Sequence, residues 1–420
     1  MNEQPFSASE RQKKIYIDGI SGTKSAVSFD YQDLSSKAQQ ILSNEAYAYI
    51  SAGAGLEKTM KRNRNDFEKW SIVPRMLRDV SQRDISIQLL EKKYETPFLT
   101  CPIGVLELAH KEADTAVAKA TSKLKIPMIF SNQASVPMED CAAVMGDESR
   151  WFQLYWSKNN DLVKSLVQRA EKAGCEAIVV TLDTTMLGWR TKDLDAAYLP
   201  FLKGKGIAQY LSDPIFQAML DEPEDENATQ IKPKINWKTI NHILQVRSKS
   251  NGDLKRMLKA IKTFINTYSR PSLQWKELQF LRECTDLPIF LKGILHPDDA
   301  KKAVEYGMDG IIVSNHGGRQ VDGSVSTIEM LSPIVKSVNG AIPVLIDSGI
   351  RSGADVFKCL ALGATAVCIG RPYVYGLAVA GELGVETILK NFIADFELTM
   401  GLAGCKNIGE INESCLKQNF

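Results

Sequence analysis

The sequence predicts an α/β fold of the (β/α)8 TIM-barrel class, with an N-terminal helical segment and a long insertion after the fourth strand. Two observations predict it: a helix–glycine–strand unit recurs along the chain, and short apolar runs alternate with amphipathic helical patterns eight times. A doubly wound parallel sheet is the alternative, because alternation along one chain does not show whether the sheet closes.

The recurring unit consists of a helical pattern that stops at a glycine and a β-branched strand that begins a few residues later. Gly174, Gly307 and Gly363 mark its three copies, and glycine readily adopts the left-handed conformation that ends a helix. A second variant places a proline just before the strand, at positions 97, 127, 288 and 343. With the apolar run at 151–155, these signals predict strands that start near residues 98, 128, 151, 177, 289, 309, 343 and 365.

The helices between the predicted strands carry apolar residues at helical spacing, and residues 160–173 show the pattern well. Two segments break the rhythm: residues 13–96 look largely helical, and residues 190–270 form the insertion. The insertion holds an acidic run at 221–226 and a basic stretch at 232–262, and a solvated excursion with a helix or two is the favoured interpretation. The alternative is a role in gating the site or in contacting another subunit.

Composition excludes several function classes. The 420 residues carry 51 Lys and Arg against 50 Asp and Glu, so no net field favours nucleic acid, and no binding motif for it is present. Eight cysteines form no CxxC pair and no zinc-ligand spacing, which predicts free thiols, no metal site and a reducing compartment. No signal peptide or membrane-length apolar run is present, so we expect a cytoplasmic protein without a membrane partner.

Polar residues collect where the predicted strands end, which in a barrel is the catalytic face. Such groups would be costly to bury without partners, so they indicate a ligand site. They are Ser131, Asn132, Gln153, Tyr155, Thr181, Asp183, Lys292, Ser314, Asn315, His316, Asp347 and Arg371.

The loops after the seventh and eighth strands resemble phosphate-binding loops. The first contains Asp347, Ser348, Gly349, Arg351 and Gly353, and the second is the Gly370-Arg371-Pro372 turn. Glycine permits close backbone approach, arginine offers paired donors to phosphate, and barrels commonly bind phosphate at these two loops.

The most informative run follows the sixth strand and reads Ser314-Asn315-His316-Gly317-Gly318-Arg319-Gln320. Histidine can accept a proton near neutral pH, and arginine can grip a carboxylate. We expect the two glycines to let a substrate come close.

This run resembles the active-site motif of the FMN-dependent enzymes that oxidise 2-hydroxy acids, and the similarity extends from about Phe29 to about Ile411. The resemblance therefore implies one domain at 29–411, which includes the insertion, with tails at 1–28 and 412–420. The resemblance implies FMN as cofactor, a small 2-hydroxy acid and O2 as partners, and a homo-oligomer, either a tetramer or an octamer.

The resemblance also implies a role for each matching residue. His316 would be the active-site base, with Asp183 hydrogen-bonded to its imidazole. The substrate carboxylate would be held by Arg319, Arg190 and Tyr49, and the substrate oxygen by Tyr155. The flavin ring would contact Ser131, Gln153, Thr181, Ser314, Lys292, Pro102, Ile103 and Gly104. The ribityl chain and phosphate would be bound by Asp347, Ser348, Gly349, Arg351, Gly370 and Arg371.

The segment Pro102-Ile103-Gly104, where many members have Pro-Thr-Ala, is most similar to lactate 2-monooxygenase. Glycine there would remove a methyl group beside the reactive face of the flavin. The resemblance therefore implies oxidation of L-lactate with decarboxylation to acetate, CO2 and water. An oxidase that releases pyruvate and peroxide, or a dehydrogenase with another acceptor, remains open. More distant alternatives are a Schiff-base aldolase built on Lys292 and a non-catalytic flavin-binding barrel.

Overall fold

A computed structural model describes residues 7–223 and 253–419, and its centre is a closed barrel of eight parallel strands. Every barrel strand pairs with its neighbours in chain order, and the last pairs back with the first through Val367 and Phe98. Each begins within one residue of the predicted position. The barrel prediction is therefore confirmed and the doubly wound alternative is wrong.

The barrel strands are β4 to β11 in the order of the chain. The full set is β1 (Trp70–Ile72), β2 (Ile87–Leu89), β3 (Lys92–Tyr94), β4 (Phe98–Thr100), β5 (Met128–Phe130), β6 (Arg150–Leu154), β7 (Ile178–Thr181), β8 (Ile289–Ile294), β9 (Gly310–Val313), β10 (Val344–Ile346), β11 (Ala366–Ile369) and β12 (Leu416–Gln418).

The helices lie before the barrel, between its strands and after it. They are α1 (Ala8–Ile20), α2 (Tyr31–Ile41), α3 (Asn44–Ser51), α4 (Lys58–Asn65), α5 (Ala113–Lys123), α6 (Met138–Met145), α7 (Asn160–Lys172), α8 (Thr191–Asp195), α9 (Ala208–Leu211), α10 (Pro214–Met219), α11 (Leu254–Thr267), α12 (Leu278–Cys284), α13 (Pro297–Glu305), α14 (Thr327–Val338), α15 (Gly353–Ala361) and α16 (Arg371–Leu402).

Helix α7 shows how the sequence specifies an element of the outer ring. Asn159 caps it by accepting a hydrogen bond from the Leu162 amide, and Gly174 follows its end with φ of +72°. Its apolar positions, which recur at helical spacing, are all buried against the barrel: Leu162, Val163, Leu166, Val167 and Ala170. The pattern predicted for residues 160–173 is confirmed.

The barrel interior is filled by side chains from alternate strand positions. Trp151 and Phe290 are fully buried there, with ring centroids 4.8 Å apart. Gly310, the first residue of β9, faces the Phe290 ring so closely that a Cβ atom would lie 2.1 Å from its Cε1. A glycine is needed at this position because the aromatic ring occupies the space of any side chain.

Replacing Gly310 with alanine should therefore lower the free energy of unfolding by about 1–3 kcal/mol, because overpacked cores must shift rings or backbone. Denaturant unfolding of the variant checks this. Gly19→Ala is the matched control, since a Cβ at Gly19 meets nothing within 4 Å. Equal unfolding midpoints for the two variants would contradict the packing argument.

The segment before the barrel is helical only in its first half. Helices α1 to α4 end at Asn65, and a short 3-10 helix follows at Asp66–Lys69. Residues 70–96 form β1 to β3 with irregular segments between them, so the prediction of a largely helical segment over 13–96 was wrong for this last part. Helix α1 lies within the predicted N-terminal tail and contacts α16, where the Ala8 amide donates to the Glu397 carboxylate (2.9 Å). Within the predicted C-terminal tail, β12 pairs antiparallel with β1.

The described parts of the insertion, residues 190–223 and 253–270, pack against the barrel. Phe201, Tyr210, Phe216 and Phe264 are buried, and the Tyr210 and Phe264 rings meet edge to face at 4.8 Å. The prediction of a solvated excursion was wrong for these residues, because their aromatic side chains form part of the core. Most of the predicted basic stretch (232–252) and the end of the acidic run (224–226) lie outside the described residues.

Within residues 7–223 and 253–419, no helix is long and apolar enough to cross a membrane. The same residues contain no cluster of three or more metal-ligating side chains.

Candidate active site

A cleft opens at the carboxyl ends of the barrel strands and brings most of the predicted site residues together. The predicted residues that line it are Tyr49, Pro102, Ile103, Gly104, Tyr155, Arg190, Lys292, His316, Arg319, Asp347, Ser348, Gly349, Arg351, Gly370 and Arg371. The remaining predicted residues, which do not line the cleft, are Ser131, Gln153, Thr181, Asp183 and Ser314.

His316 and Asp183 form a hydrogen-bonded pair across two strands of the barrel. His316 follows β9 in a tight turn, and its Nδ1 lies 2.8 Å from Asp183 Oδ1, after β7. Thr184 supports the pair: its hydroxyl donates to Asp183 Oδ1 (2.9 Å) and lies 3.2 Å from His316 Nδ1. With Nδ1 engaged by the carboxylate, the other ring nitrogen, Nε2, is the one left for a substrate.

The surroundings of the pair favour a neutral imidazole beside a charged carboxylate. Burial lowers the pKa of His316 below its ordinary value, although Asp183 acts in the opposite direction. Burial opposes the charge on Asp183, but His316, Lys292 and Thr184 together lower the pKa of that carboxyl. His316 can therefore accept a proton at neutral pH, and the fixed carboxylate stabilises the resulting imidazolium.

Two arginines face the histidine within the same cleft. Arg319 donates from Nη1 to the carbonyls of Tyr49 (2.6 Å) and Ala52 (2.9 Å), and its guanidinium lies 5.0 Å from the centre of the Tyr49 ring. Arg190 donates to Gln320 Oε1 at 3.1 Å. Burial and the neighbouring Arg190 lower the pKa of Arg319, whose nearest carboxylate, on Asp193, is 4.0 Å away. Arg190 is buried and Arg319 is largely buried, and two cations with so little countercharge form a site for an anion such as a carboxylate.

Lys292 is buried at the end of β8 and is held by two partners. Its Nζ donates to Ser314 Oγ (2.8 Å) and pairs with Asp347 Oδ2 (3.0 Å). Burial opposes its charge, but Asp347 and Asp183 raise the pKa of Lys292 above its ordinary value. A Schiff-base lysine needs a neutral amine, so this geometry argues against an aldolase and favours a fixed positive charge.

The residues predicted to contact a flavin ring present unsatisfied polar atoms. Gln153 Oε1 accepts from the Asn132 amide (3.1 Å), but its Nε2 is buried without a partner, and so is Thr181 Oγ1. Buried donors of this kind are costly unless a ligand satisfies them. The nitrogen and oxygen atoms along the polar edge of a flavin ring are suitable partners, so these residues fit FMN.

The two predicted phosphate loops also fit FMN. Ser348 and Gly349 both adopt left-handed backbone conformations, which turn the loop sharply after β10. The Arg351 guanidinium stacks 4.2 Å from the centre of the Tyr31 ring, and burial and the nearby Arg371 lower the pKa of Arg351. Arg371 donates to three carbonyls, of Ile50, Gly317 and Ala52. Because a guanidinium carries five N–H groups, Arg371 keeps donors for a phosphate.

Two of the predicted glycines are also required by the packing of the protein backbone. A Cβ at Gly318 would lie 2.6 Å from the Met60 amide nitrogen, and a Cβ at Gly104 would lie 2.4 Å from the Gln133 carbonyl oxygen. Both positions therefore make room for protein backbone. Of the two glycines expected to let a substrate come close, Gly317 lines the cleft and Gly318 does not. Gly104 lines the cleft, and its place beside a flavin stays a prediction.

Several residues at the site were not predicted from the sequence. Gln133, Phe201 and Tyr268 line the cleft, and the last two come from the insertion, which has no local signal for such a place. Gln320 accepts from Arg190 and donates to the Asp183 backbone carbonyl (2.7 Å), so it joins the arginine to the His316–Asp183 pair. Its position beside Arg319 in the motif could have indicated this role.

Comparisons with known proteins agree with this geometry. The model of the family described as FMN-dependent dehydrogenase matches residues 38–418. The chain is 37% identical to the FMN-dependent alpha-hydroxy acid dehydrogenase qulF of Penicillium citrinum, over 99% of this chain and 97% of the relative. It is 40% identical to the L-lactate oxidase of Lysinibacillus sphaericus, over 93% and 92%. A crystal structure of mandelate oxidase with (S)-4-hydroxymandelic acid superimposes with a TM-score of 0.76 at 35% identity, covering 92% of this chain and 97% of that one.

Proposed function

Because this chain belongs to the FMN-dependent dehydrogenase family and is an FMN-dependent 2-hydroxy acid oxidoreductase, we propose that it oxidises a small L-2-hydroxy acid, L-lactate in the first place, with O2 as acceptor. The observation that carries the proposal is the His316–Asp183 pair, 2.8 Å apart, whose histidine lines the same cleft as Arg190 and Arg319. A base and a carboxylate site are what a 2-hydroxy acid requires, because one end must lose protons and the other is anionic.

In the proposed mechanism, Arg319 and Arg190 bind the substrate carboxylate and fix the α-carbon in the cleft. His316 Nε2 takes one proton from the substrate, and Asp183 stabilises the charged imidazole. Tyr155 is buried, and burial raises the pKa of its phenol, so it stays protonated and can donate a hydrogen bond to the substrate oxygen. FMN, when bound, would supply the redox chemistry, as acceptor of the two electrons and the second hydrogen of the oxidation, with O2 as the final acceptor.

The residues for the cofactor are Ser131, Gln153 and Thr181 at the ring, Lys292 and Ser314 beside them, and the loops after β10 and β11 at the phosphate. A fixed ammonium on Lys292 would favour electron uptake, because reduced flavin is anionic. Asp347 pairs with that ammonium and keeps it charged.

For the fate of the product we propose oxidative decarboxylation, in which L-lactate and O2 give acetate, CO2 and water. Phe201 and Tyr268 line the cleft from the insertion and would help to retain pyruvate and peroxide until they react. Product analysis under air tests this: acetate and CO2 in place of pyruvate support it. Free pyruvate with peroxide would make the protein an oxidase, and slow O2 consumption with rapid dye reduction would make it a dehydrogenase.

The pH dependence of flavin reduction should follow His316. Its pKa is lowered from 6.5, so the neutral, proton-accepting form predominates above pH 6.5. The reduction rate at low substrate concentration should therefore be constant above about pH 6.5 and fall on acidification below it. Anaerobic stopped-flow measurement from pH 5 to 8 checks this, and a rate that rises on acidification would contradict the role of His316 as a base.

We also propose a cytoplasmic homo-oligomer. All eight cysteines are free thiols, which suits a reducing compartment. Sedimentation of the purified protein would distinguish a tetramer or an octamer from a monomer of 46.6 kDa.

A further inference from the structure

Helix α4 contacts two segments beside the cleft: the turn that carries His316 and the loop after β10. None of the α4 residues lines the cleft itself. Asn63 and Thr59, one turn apart, are buried polar residues on the side that faces the segment after β9. Arg64, the next residue, lies on a different side of the helix and reaches the loop after β10.

Asn63 holds the turn that carries His316. Its side-chain amide forms a reciprocal pair with Asn315, with Nδ2 to Oδ1 distances of 2.7 and 2.6 Å. Asn315 directly precedes His316, and its Oδ1 also accepts from the Gly318 amide (3.0 Å). The backbone of α4 reinforces the contact, because Met60 lies where a Cβ of Gly318 would be. His316 itself has φ of +57°, a conformation that a histidine keeps only when its neighbours hold it.

Arg64 holds the loop predicted to bind the FMN phosphate. It donates from Nη1 to the Gly349 carbonyl (2.9 Å) and from Nη2 to Asp355 Oδ1 (2.9 Å), with a second contact to Oδ2. Asp355 in turn accepts from the amides of Arg351 (2.8 Å) and Ser352 (3.1 Å). Arg64 therefore anchors the loop at both ends, while the Arg351 side chain remains in the cleft.

We propose that Asn63 and Arg64 are positioning residues with separate effects: Asn63 sets the rate of proton transfer to His316, and Arg64 sets the affinity for FMN. The Asn63 half of this proposal, its effect on proton transfer, rests on the proposed function. The Arg64 half, its effect on FMN affinity, rests only on the membership of the FMN-dependent family. Adjacent residues on one helix thereby hold the catalytic base and the cofactor loop independently of each other.

The test compares Asn63→Ala and Arg64→Ala with Lys61→Ala, a change at an exposed position of the same helix. Three quantities are measured: the FMN dissociation constant by fluorescence titration of apoprotein, the anaerobic flavin reduction rate at saturating FMN and L-lactate, and the apoprotein melting temperature. Asn63→Ala should reduce the rate about tenfold to a hundredfold, because small displacements of a base are costly. Its FMN affinity should stay within about threefold.

Arg64→Ala should show the opposite pattern, with FMN binding weakened about tenfold to a hundredfold and the reduction rate of the saturated enzyme nearly unchanged. Arg64→Lys should recover part of the affinity, because it retains charge but not the paired geometry. Lys61→Ala should change neither quantity. If Asn63→Ala does not fold, Asn63→Ser, which retains a hydrogen-bonding group, takes its place.

The proposal is overturned if both variants change both quantities in proportion to their loss of melting temperature, or if neither quantity moves. If the unaltered holoenzyme is not reduced by any 2-hydroxy acid, the proposed function fails, while the FMN titration of Arg64→Ala still decides the Arg64 half. In that case the role of Asn63 is tested by NMR titration of the His316 imidazole, whose signals are identified by their absence in His316→Gln. An Asn63→Ala titration curve identical to that of the unaltered protein would reject its role.

Discussion

Replacement of His316 by glutamine should leave a yellow, FMN-loaded protein that L-lactate reduces about 100- to 10,000-fold more slowly. Glutamine can still occupy the space above Asp183, but it cannot take up a proton. The proposed cofactor contacts at Gln153, Thr181 and Lys292 come from other strands, so FMN should stay bound. Anaerobic stopped-flow reduction measures the loss.

His296→Gln is the matched control, because it makes the same chemical change at an exposed helix cap that does not line the cleft. It should be reduced at the rate of the unaltered protein. The reduction rate of Asp183→Asn should lie between those of the unaltered protein and His316→Gln. The imidazole would keep a hydrogen bond but lose the charge that stabilises its protonated form. Unchanged reduction of His316→Gln would remove this residue from the mechanism.

Replacement of Arg319 by lysine should have the second large effect, on substrate binding. Lysine retains the positive charge but cannot offer paired donors to a carboxylate while also bonding the Tyr49 and Ala52 carbonyls. We expect kcat/KM for L-lactate to fall about 100- to 1,000-fold, with FMN affinity preserved.

The control for Arg319 is a change in the substrate. Lactamide, which lacks the carboxylate charge, should be a poor substrate for the unaltered protein, and Arg319→Lys should lose much less activity toward it than toward L-lactate. An equal fractional loss with both compounds would show that Arg319 acts through structure and does not bind the carboxylate.

The sequence predicted the barrel well because its signals are local. A proline or a glycine stands just before most of the barrel strands, as at Pro288 and Gly307, and continuous apolar runs identify strands buried on both faces. The site residues were predictable for a related reason: the closed barrel brings the ends of its strands to one face, so polar residues at strand ends, such as Asp183 and His316, must converge there.

The remainder depends on contacts between distant segments, which local patterns do not show. Tyr268 and Phe201 reach the cleft from the insertion, whose charged runs indicated a solvated surface. Asn63 lies in a short polar helix where every residue would be expected to face solvent, yet it is buried against Asn315, 252 residues away. Gly104 was placed beside a flavin by the family resemblance, and no local pattern shows that the Gln133 carbonyl leaves no room for a Cβ there.

The central claim, that this FMN-dependent cleft oxidises a 2-hydroxy acid through His316, is tested most directly by adding L-lactate to the purified holoenzyme without oxygen. The visible absorption of oxidised flavin should disappear within the time of mixing or soon after, return when air is admitted, and persist in His316→Gln. A flavin that stays oxidised with L-lactate, glycolate and longer 2-hydroxy acids alike would contradict the account.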